Sequence, residues 1–266
     1  MRWAVLTVCA LAALAVPGGA EAARAHPAAT HTPTIGVWFG RDGHLWQTKR
    51  TIAPTQALAT AAVLALLDGP SADEAAAGVH SAVPAGTRLR GILVRSGLAT
   101  VNLSSAFAAS APRRRVHMRL AELTYTLTQF RTVDAVRLEI DGHAVSSIAG
   151  VAVPSRLERA RYARLLPPIL VWNPAIGARI PTTVTVSGTS DVFEATMVVK
   201  VKNARGRLLA RVWTTASCGT GCRGSYRVRI SYHVRRAQRG TVVITDTGAR
   251  TSRPEHIVTV PVWLSA

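Results

Sequence analysis

Gly219-Thr220-Gly221-Cys222-Arg223-Gly224 satisfies the spacing G-x-G-x-x-G. That pattern holds a pyrophosphate only when its third glycine opens a helix whose N-terminus faces the phosphates. Here Ser225 to Tyr232 alternates as a strand, so the match is expected to be chance. No G-x-x-x-x-G-K-S/T loop and no G-x-S-x-G turn occurs, so no local sequence marks a phosphate cradle or an activated serine. Eight histidines (His26, His31, His44, His80, His117, His143, His233 and His256) are scattered, never as H-x-x-x-H on a helix. His26 and His31 could chelate a metal only weakly from a solvated leader. Asp73 and Glu74 are adjacent carboxylates near a helix start, where they complement the macrodipole. Asn102-Leu103-Ser104 matches the N-x-S/T glycosylation acceptor. The expectation is a protein that is not an enzyme and has no cofactor and no metal site.

Charge is more informative. Lys and Arg number 32 against 14 Asp and Glu, a net charge of +18, and only Lys49, Lys200 and Lys202 are lysines. Such a balance favours anionic partners: nucleic acid, an acidic membrane surface or an acidic wall polymer. Residues 169–266 hold 14 basic and four acidic side chains and form the cationic part. Within them Lys200 and Lys202 share the outward side of one strand, Arg227 and Arg229 that of another, and Arg235, Arg236 and Arg239 crowd one loop. Two readings stay open: a solvated surface that resists aggregation, or a footprint for an anionic ligand. Arg113-Arg114-Arg115 opens a helix with charges that oppose its dipole. A local rule broken in this way makes the triplet the leading candidate site of the first half.

The elements that would position these residues are legible along the chain. Met1-Arg2, the apolar run Trp3–Val16, Pro17-Gly18-Gly19 and Ala20-Glu21-Ala22 have the order of an export signal cleaved near Ala22. The run is too short to span a bilayer, which needs about 20 residues. Export sets aside nucleic acid as partner and leaves a secreted or envelope location. Removal of residues 1–22 leaves Cys218 and Cys222, and an even count in an exported chain reads as a disulfide. Closing so small a loop is worth roughly 2 kcal/mol in the chain-entropy account. Residues 23–33 read as a flexible leader and 151–168, rich in Arg and ending in Pro167-Pro168, as a linker.

With 48% hydrophobic and 17% charged residues, wholesale disorder and a coiled-coil rod are excluded. Residues 34–150 read as an α+β domain in the order β-α-β-β-α-β-β, two helices on one face of a small sheet. A strand at Thr34–Phe39 is followed by a helix from about Pro54 to Asp68. Paired strands at Arg88–Val94 and Leu98–Leu103 turn at Ser96-Gly97. Val116, Leu120, Leu123, Leu127 and Phe130 form a helical stripe, with Arg115, Arg119, Glu122 and Gln129 mostly off it. Val133–Ile140 is a strand that Asp141-Gly142 turns back through His143 to Ile148. Residues 169–266 alternate with period two near 169–172, 182–187, 193–202, 207–213, 226–233, 241–246 and 257–264, which predicts an all-β sandwich.

Five pieces in order, Val83-Pro84-Ala85-Gly86-Thr87, Val101-Asn102-Leu103-Ser104, Tyr125-Thr126-Leu127-Thr128-Gln129-Phe130, Val136-Arg137-Leu138 and Asp141-Gly142, resemble the GerMN domain of bacterial sporulation and spore-germination proteins. The resemblance covers roughly residues 35–150. The family has Asp where Asn102 stands. Ile169-Leu170-Val171-Trp172-Asn173-Pro174 and Val186-Ser187-Gly188-Thr189-Ser190 resemble the immunoglobulin-like domain that follows GerMN. The resemblance implies an envelope protein of sporulation or germination type without known catalysis. It also implies that Tyr125 and Gln129 serve folding geometry. Since the small domain resembles ring-building modules, expected partners are an envelope protein, an anionic wall polymer or further copies in a homo-oligomer.

Overall fold

The structure, a computed structural model, describes residues 32–246 and 254–266. The export signal and nearly all of the leader, with His26 and His31, lie outside the described residues. Residues 32–266 form one compact unit.

The first half opens with a hairpin, β1 (Thr34–Arg41) and β2 (His44–Thr51), turned at Asp42-Gly43 with both residues at positive φ. Helix α1 (Leu58–Asp68) follows, starting four residues after Pro54 because Thr55 Oγ1 accepts the Ala57 amide and turns the chain first. Gly69 ends it at φ 81°. A short helix α2 (Ala72–Ala76) has a capping box: Ser71 Oγ accepts the Glu74 amide and Glu74 Oε2 the Ser71 amide. Next come β3 (Val79–His80), β4 (Leu89–Arg95), β5 (Gly97–Leu103), α3 (Arg113–Leu127), β6 (Val133–Ile140), β7 (His143–Ala144), β8 (Ser147–Ile148) and β9 (Val151–Ala152).

These strands do not make one sheet under two helices. They make a sheet β2-β1-β3, a sheet β4-β5-β6-β7 and a small hairpin β8-β9. The α+β class stands, but α3 packs against β1 and β6 as well as α1. Val116, Leu120, Leu123 and Leu127 of its apolar stripe are buried as their spacing predicts, while Phe130 lies past the helix end and is half-buried; Arg119 and Glu122 are buried from the opposite side. Only the first turn, Arg113 to Arg115, is exposed. The return strand after Asp141-Gly142 stops at Ala144, because Ala149-Gly150 forms a second positive-φ turn that pairs β8 with β9 instead. Residues 151–168 are packed: Leu157 exchanges backbone hydrogen bonds with Val136, and Tyr162 is buried in a 3-10 turn at Arg159–Leu165.

The second half is all strand: β10 (Ile169–Asn173), β11 (Arg179–Ile180), β12 (Thr183–Ser190), β13 (Thr196–Asn203), β14 (Leu208–Thr215), β15 (Gly224–Ser231), β16 (Gln238–Asp246) and β17 (Ile257–Leu264). They form sheets β10-β12-β15 and β11-β17-β16-β13-β14. Met197, Val199 and Val201 on β13, Val242 and Ile244 on β16, and Tyr226 and Ile230 on β15 fill the space between them. Phe193 to Ala195 precede β13 as a 3-10 turn, since Glu194 and Ala195 take positive φ, so Phe193 is not on the inward face. Cys218 and Cys222 are disulfide-bonded within one loop, with Cα atoms 5.8 Å apart. That loop rests on the preceding turn through Thr220 N to Val192 O (3.0 Å) and Gly221 N to Asp191 Oδ1 (2.9 Å). Gly224 begins β15 and no helix, so the G-x-G-x-x-G spacing has no phosphate-binding geometry.

Candidate functional site

Several polar residues that invite a chemical reading are structural. Strand β1 has β2 on one side but β3 only at Gly40 and Arg41 on the other. Helix α3 satisfies part of that open edge. Gly36 N donates to Gln129 Oε1 (2.7 Å), Gln129 Nε2 donates to Gly36 O (2.6 Å), and Trp38 N donates to Thr126 Oγ1 (3.1 Å). A side-chain amide offers one donor and one acceptor, as a neighbouring strand residue would. A Cβ on residue 36 would collide with the Gln47 side-chain amide and stand 3.2 Å from Gln129 Oε1, so glycine makes room for both side chains. One turn earlier, the fully buried Glu122 accepts the Ala82 amide at 3.0 Å on both oxygens, and Ser81 Oγ at 3.4 Å. Burial pushes its carboxyl up to about 8, against the pull of those groups and the Gly40 and Val83 amides. Beside it the buried Arg119 donates to the carbonyls of Ala82 (3.2 Å), Phe107 (2.6 Å) and Ala109 (2.9 Å).

Tyr125 is locked with Arg159. The guanidinium lies 4.6 Å over the ring and donates from Nη2 to Tyr125 O at 3.1 Å, while Tyr125 Oη donates to Arg159 O at 3.3 Å. Asn102 Oδ1 accepts the Gly142 amide at 2.9 Å, so it fixes the β6-β7 turn, a task that needs an oxygen but no charge. Glu74 is bidentate to Arg50, both contacts 2.7 Å.

Three places face solvent with unspent chemistry. The first is a groove of about 680 Å³ where α3 begins, lined by Arg114, Arg115, His80 and Asp42. Arg113 lies on the same exposed turn, and none of the three arginines has an ion-pair partner among the described residues. The second is a cleft of about 380 Å³ between the β1-β2 turn and the start of β17. Arg41 crosses it, donating from Nη2 to Thr259 O at 2.8 Å and lying 4.5 Å over Trp46. Burial lowers the Arg41 pKa, with Asp42 opposing. At its rim Asp246, Glu255 and His256 bring ligand-type atoms within 4.8 Å of one another. Asp246 is already committed: Oδ1 accepts His256 N (2.7 Å) and Oδ2 meets His256 Nδ1 (2.8 Å). The group is a clasp across the ends of β16 and β17.

The third is the outer face of the five-stranded sheet. Register places Trp213, Val198, Thr245 and Ile257 in one cross-strand row, and Arg211, Lys200, Val243 and Thr259 in the next. Leu208, Lys202, Thr241 and Pro261 form a third, and Arg239, Trp263 and Arg179 follow. Arg211 lies 4.7 Å over Trp213 and Arg239 5.2 Å over Trp263. The structure thus gathers Lys200, Lys202 and Arg239 of the expected contacts on one surface. It puts Arg227 and Arg229 on the other sheet, opposite Ser187 and Thr185, facing away, with Arg235 and Arg236 in the exposed loop after β15. Arg113–Arg115 stand apart in the first half. Sequence reading missed Arg211, Trp213, Ile257 and Trp263. The alternation of β14 and β17 carries them, but the register that aligns them is a tertiary fact.

Residues 38–146 match the Germane family, "Sporulation and spore germination", and residues 168–252 match Gmad2, "Immunoglobulin-like domain of bacterial spore germination". The chain pairs a GerMN domain with a spore-germination immunoglobulin-like domain. Among solved structures, the first GerMN domain of the sporulation protein GerM from Bacillus subtilis is 22% identical (TM-score 0.43), covering 48% of this chain and 99% of that one. The tandem GerMN domains of the same protein are 15% identical (TM-score 0.44), covering 88% of this chain and 60% of that one. A putative lipoprotein from Clostridium perfringens is 18% identical (TM-score 0.38), covering 51% and 93%. Curated proteins give no significant match. In the GerMN domain the Tyr125–Phe130 motif is the segment that caps β1, and in the immunoglobulin-like domain Gly188 lies where β10 and Tyr226 press on the strand.

Proposed function

We propose that this protein is an exported, non-catalytic component of the cell envelope that binds or assembles with other envelope components in a sporulation- or germination-type system. The observation that carries the reading is the outer face of the immunoglobulin-like domain, where Lys200, Lys202, Arg211 and Arg239, none in an ion pair among the described residues, stand with the exposed Trp213, Ile257, Leu208 and Trp263 around the buried Val243 and Thr245. Such a face is suited to contact and not to turnover. The GerMN groove at Arg114 and Arg115 is a second cationic surface on the same compact unit.

The ionisable groups, buried and exposed, favour the same reading. Glu122 is sealed from solvent, Asp246 is spent on His256, and His44, His80 and His143 each hydrogen-bond the carbonyl two residues before. Among the described residues no helix is long and apolar enough to cross a membrane. The export part of the proposal rests on the sequence pattern of residues 1–22. A second reading, an anionic wall polymer or membrane surface gripped by the immunoglobulin-like domain, follows from the 14-to-4 charge balance of residues 169–266.

The test is sedimentation of residues 32–266 with isolated cell envelopes across a salt series. We expect co-sedimentation that weakens steeply as salt rises, because screening acts on exposed charges. A hydrolytic or transfer activity lost on point mutation, or no association with envelopes at any salt, would overturn the proposal.

A further inference from the structure

We infer that the outer face of the five-stranded sheet docks on an anionic lipid bilayer surface, with Trp213, Ile257, Leu208 and Trp263 entering the interface and Lys200, Lys202, Arg211 and Arg239 pairing with headgroup phosphates. The inference rests on the binding role proposed above and names the partner.

Charge selects the sign of that partner. The outward positions of these strands hold no Asp or Glu. None of the four cations belongs to an ion pair among the described residues. A surface that only had to stay soluble would mix both signs. The exposed apolar groups select lipid over a hydrated polymer. Trp213 is 57%, Ile257 64%, Leu208 47% and Trp263 36% exposed, four of the nine large exposed hydrophobics among the described residues. Tryptophan rings also stack on sugars, but Ile257 and Leu208 gain nothing from a water-swollen chain of sugar or polyol phosphate. Among acyl chains they bury their surface.

Geometry agrees. Strands about 4.8 Å apart and same-side residues about 6.8 Å apart make a patch of roughly 15 by 20 Å across four strands. Trp213 and Ile257 stand at opposite ends of one row, so the patch meets a plane at separated points. Arg211 and Arg239 lie over the two tryptophan rings, which keeps guanidinium and indole at one height, as an interface with phosphate above acyl chain requires.

The experiment uses residues 32–266, the compact unit, which omits the apolar Trp3–Val16 run that would itself partition into lipid. Sedimentation is measured with vesicles of phosphatidylglycerol and phosphatidylcholine, with phosphatidylcholine alone, and with soluble polyglycerol phosphate as competitor. Binding is expected to the mixed vesicles and not to the neutral ones, with a blue shift of tryptophan emission. The pair Trp213→Ala and Ile257→Ser should lower vesicle affinity at least tenfold and leave polyglycerol phosphate binding within twofold. The pair Lys200→Glu and Lys202→Glu should lower both. Arg95→Glu with Arg131→Glu, which removes the same charge from exposed sites in the GerMN domain, should hold vesicle affinity within twofold. All three double variants alter exposed or half-exposed side chains, and an unchanged thermal midpoint confirms their fold. Equal vesicle affinity after Trp213→Ala with Ile257→Ser overturns the inference, as does equal loss in the Arg95 and Arg131 control. Binding to polyglycerol phosphate without vesicle sedimentation overturns the lipid partner and leaves the envelope-binding role standing. Binding to neither, nor to isolated envelopes, overturns both.

Discussion

Glu122 and Arg119 give the GerMN domain a buried cation beside a carboxyl that is protonated at neutral pH. The folded carboxyl, at about 8, lies above its ordinary 4.5, so the folded state holds a proton that the unfolded chain releases between those values. The stability this proton confers is fully present below pH 4.5 and is lost as pH rises through about 8. Urea midpoints should therefore fall between pH 5 and pH 8, and Glu122→Gln should flatten that slope. Gln129 offers a sharper test. Gln129→Ala strips a donor and an acceptor from the half-buried edge of β1, which should cost about 1–3 kcal/mol for each group left unpaired, read from the urea midpoint. Asp246→Ala opens the clasp on His256 and should cost a similar amount, because the His256 amide and its imidazole Nδ1 both lose a buried carboxylate partner.

At the scale of elements, α3 shows how far periodicity reaches. Val116, Leu120, Leu123 and Leu127 announce a buried stripe, and they are buried. The same spacing places Arg119 and Glu122 on a solvated side, yet a second sheet and the Ala82 segment cover them, a condition that depends on residues 40 positions away. Strand β2 went unread because Lys49 and Arg50 interrupt its apolar pattern; Arg50 is held by Glu74, a partner no local window contains. In the immunoglobulin-like domain each expected run contains a strand, because the period-two pattern survives there, although Phe193–Ala195 turn before β13 begins. The surface site was legible only in part: Lys200 and Lys202 are read from one strand, whereas Trp213 and Ile257 join them only through register. The first turn of α3 yields an element-scale prediction. Arg115 opposes the helix dipole and adds a like charge near Arg119, whose pKa is lowered by burial and then by Arg115. Arg115→Glu should raise stability by about 0.3–1 kcal/mol, seen as a higher thermal midpoint.

Over the whole molecule, Arg41 links the two domains by reaching from the GerMN hairpin to Thr259 on β17. Arg41→Met keeps apolar contact with Trp46 but drops that bond. Calorimetry should show one transition for the parent protein and a broadened or split one for the variant. The cross-links of α3 extend the same logic into the GerMN domain. Glu122 and Arg119 both grip the chain at Ala82, just before the exposed Ala85-Gly86 loop tip. A protease that nicks this tip would therefore leave two fragments still fastened through β1 and α3. They should travel together through gel filtration and come apart only in denaturant, which makes the loop a natural place to split the protein into a reassembling pair.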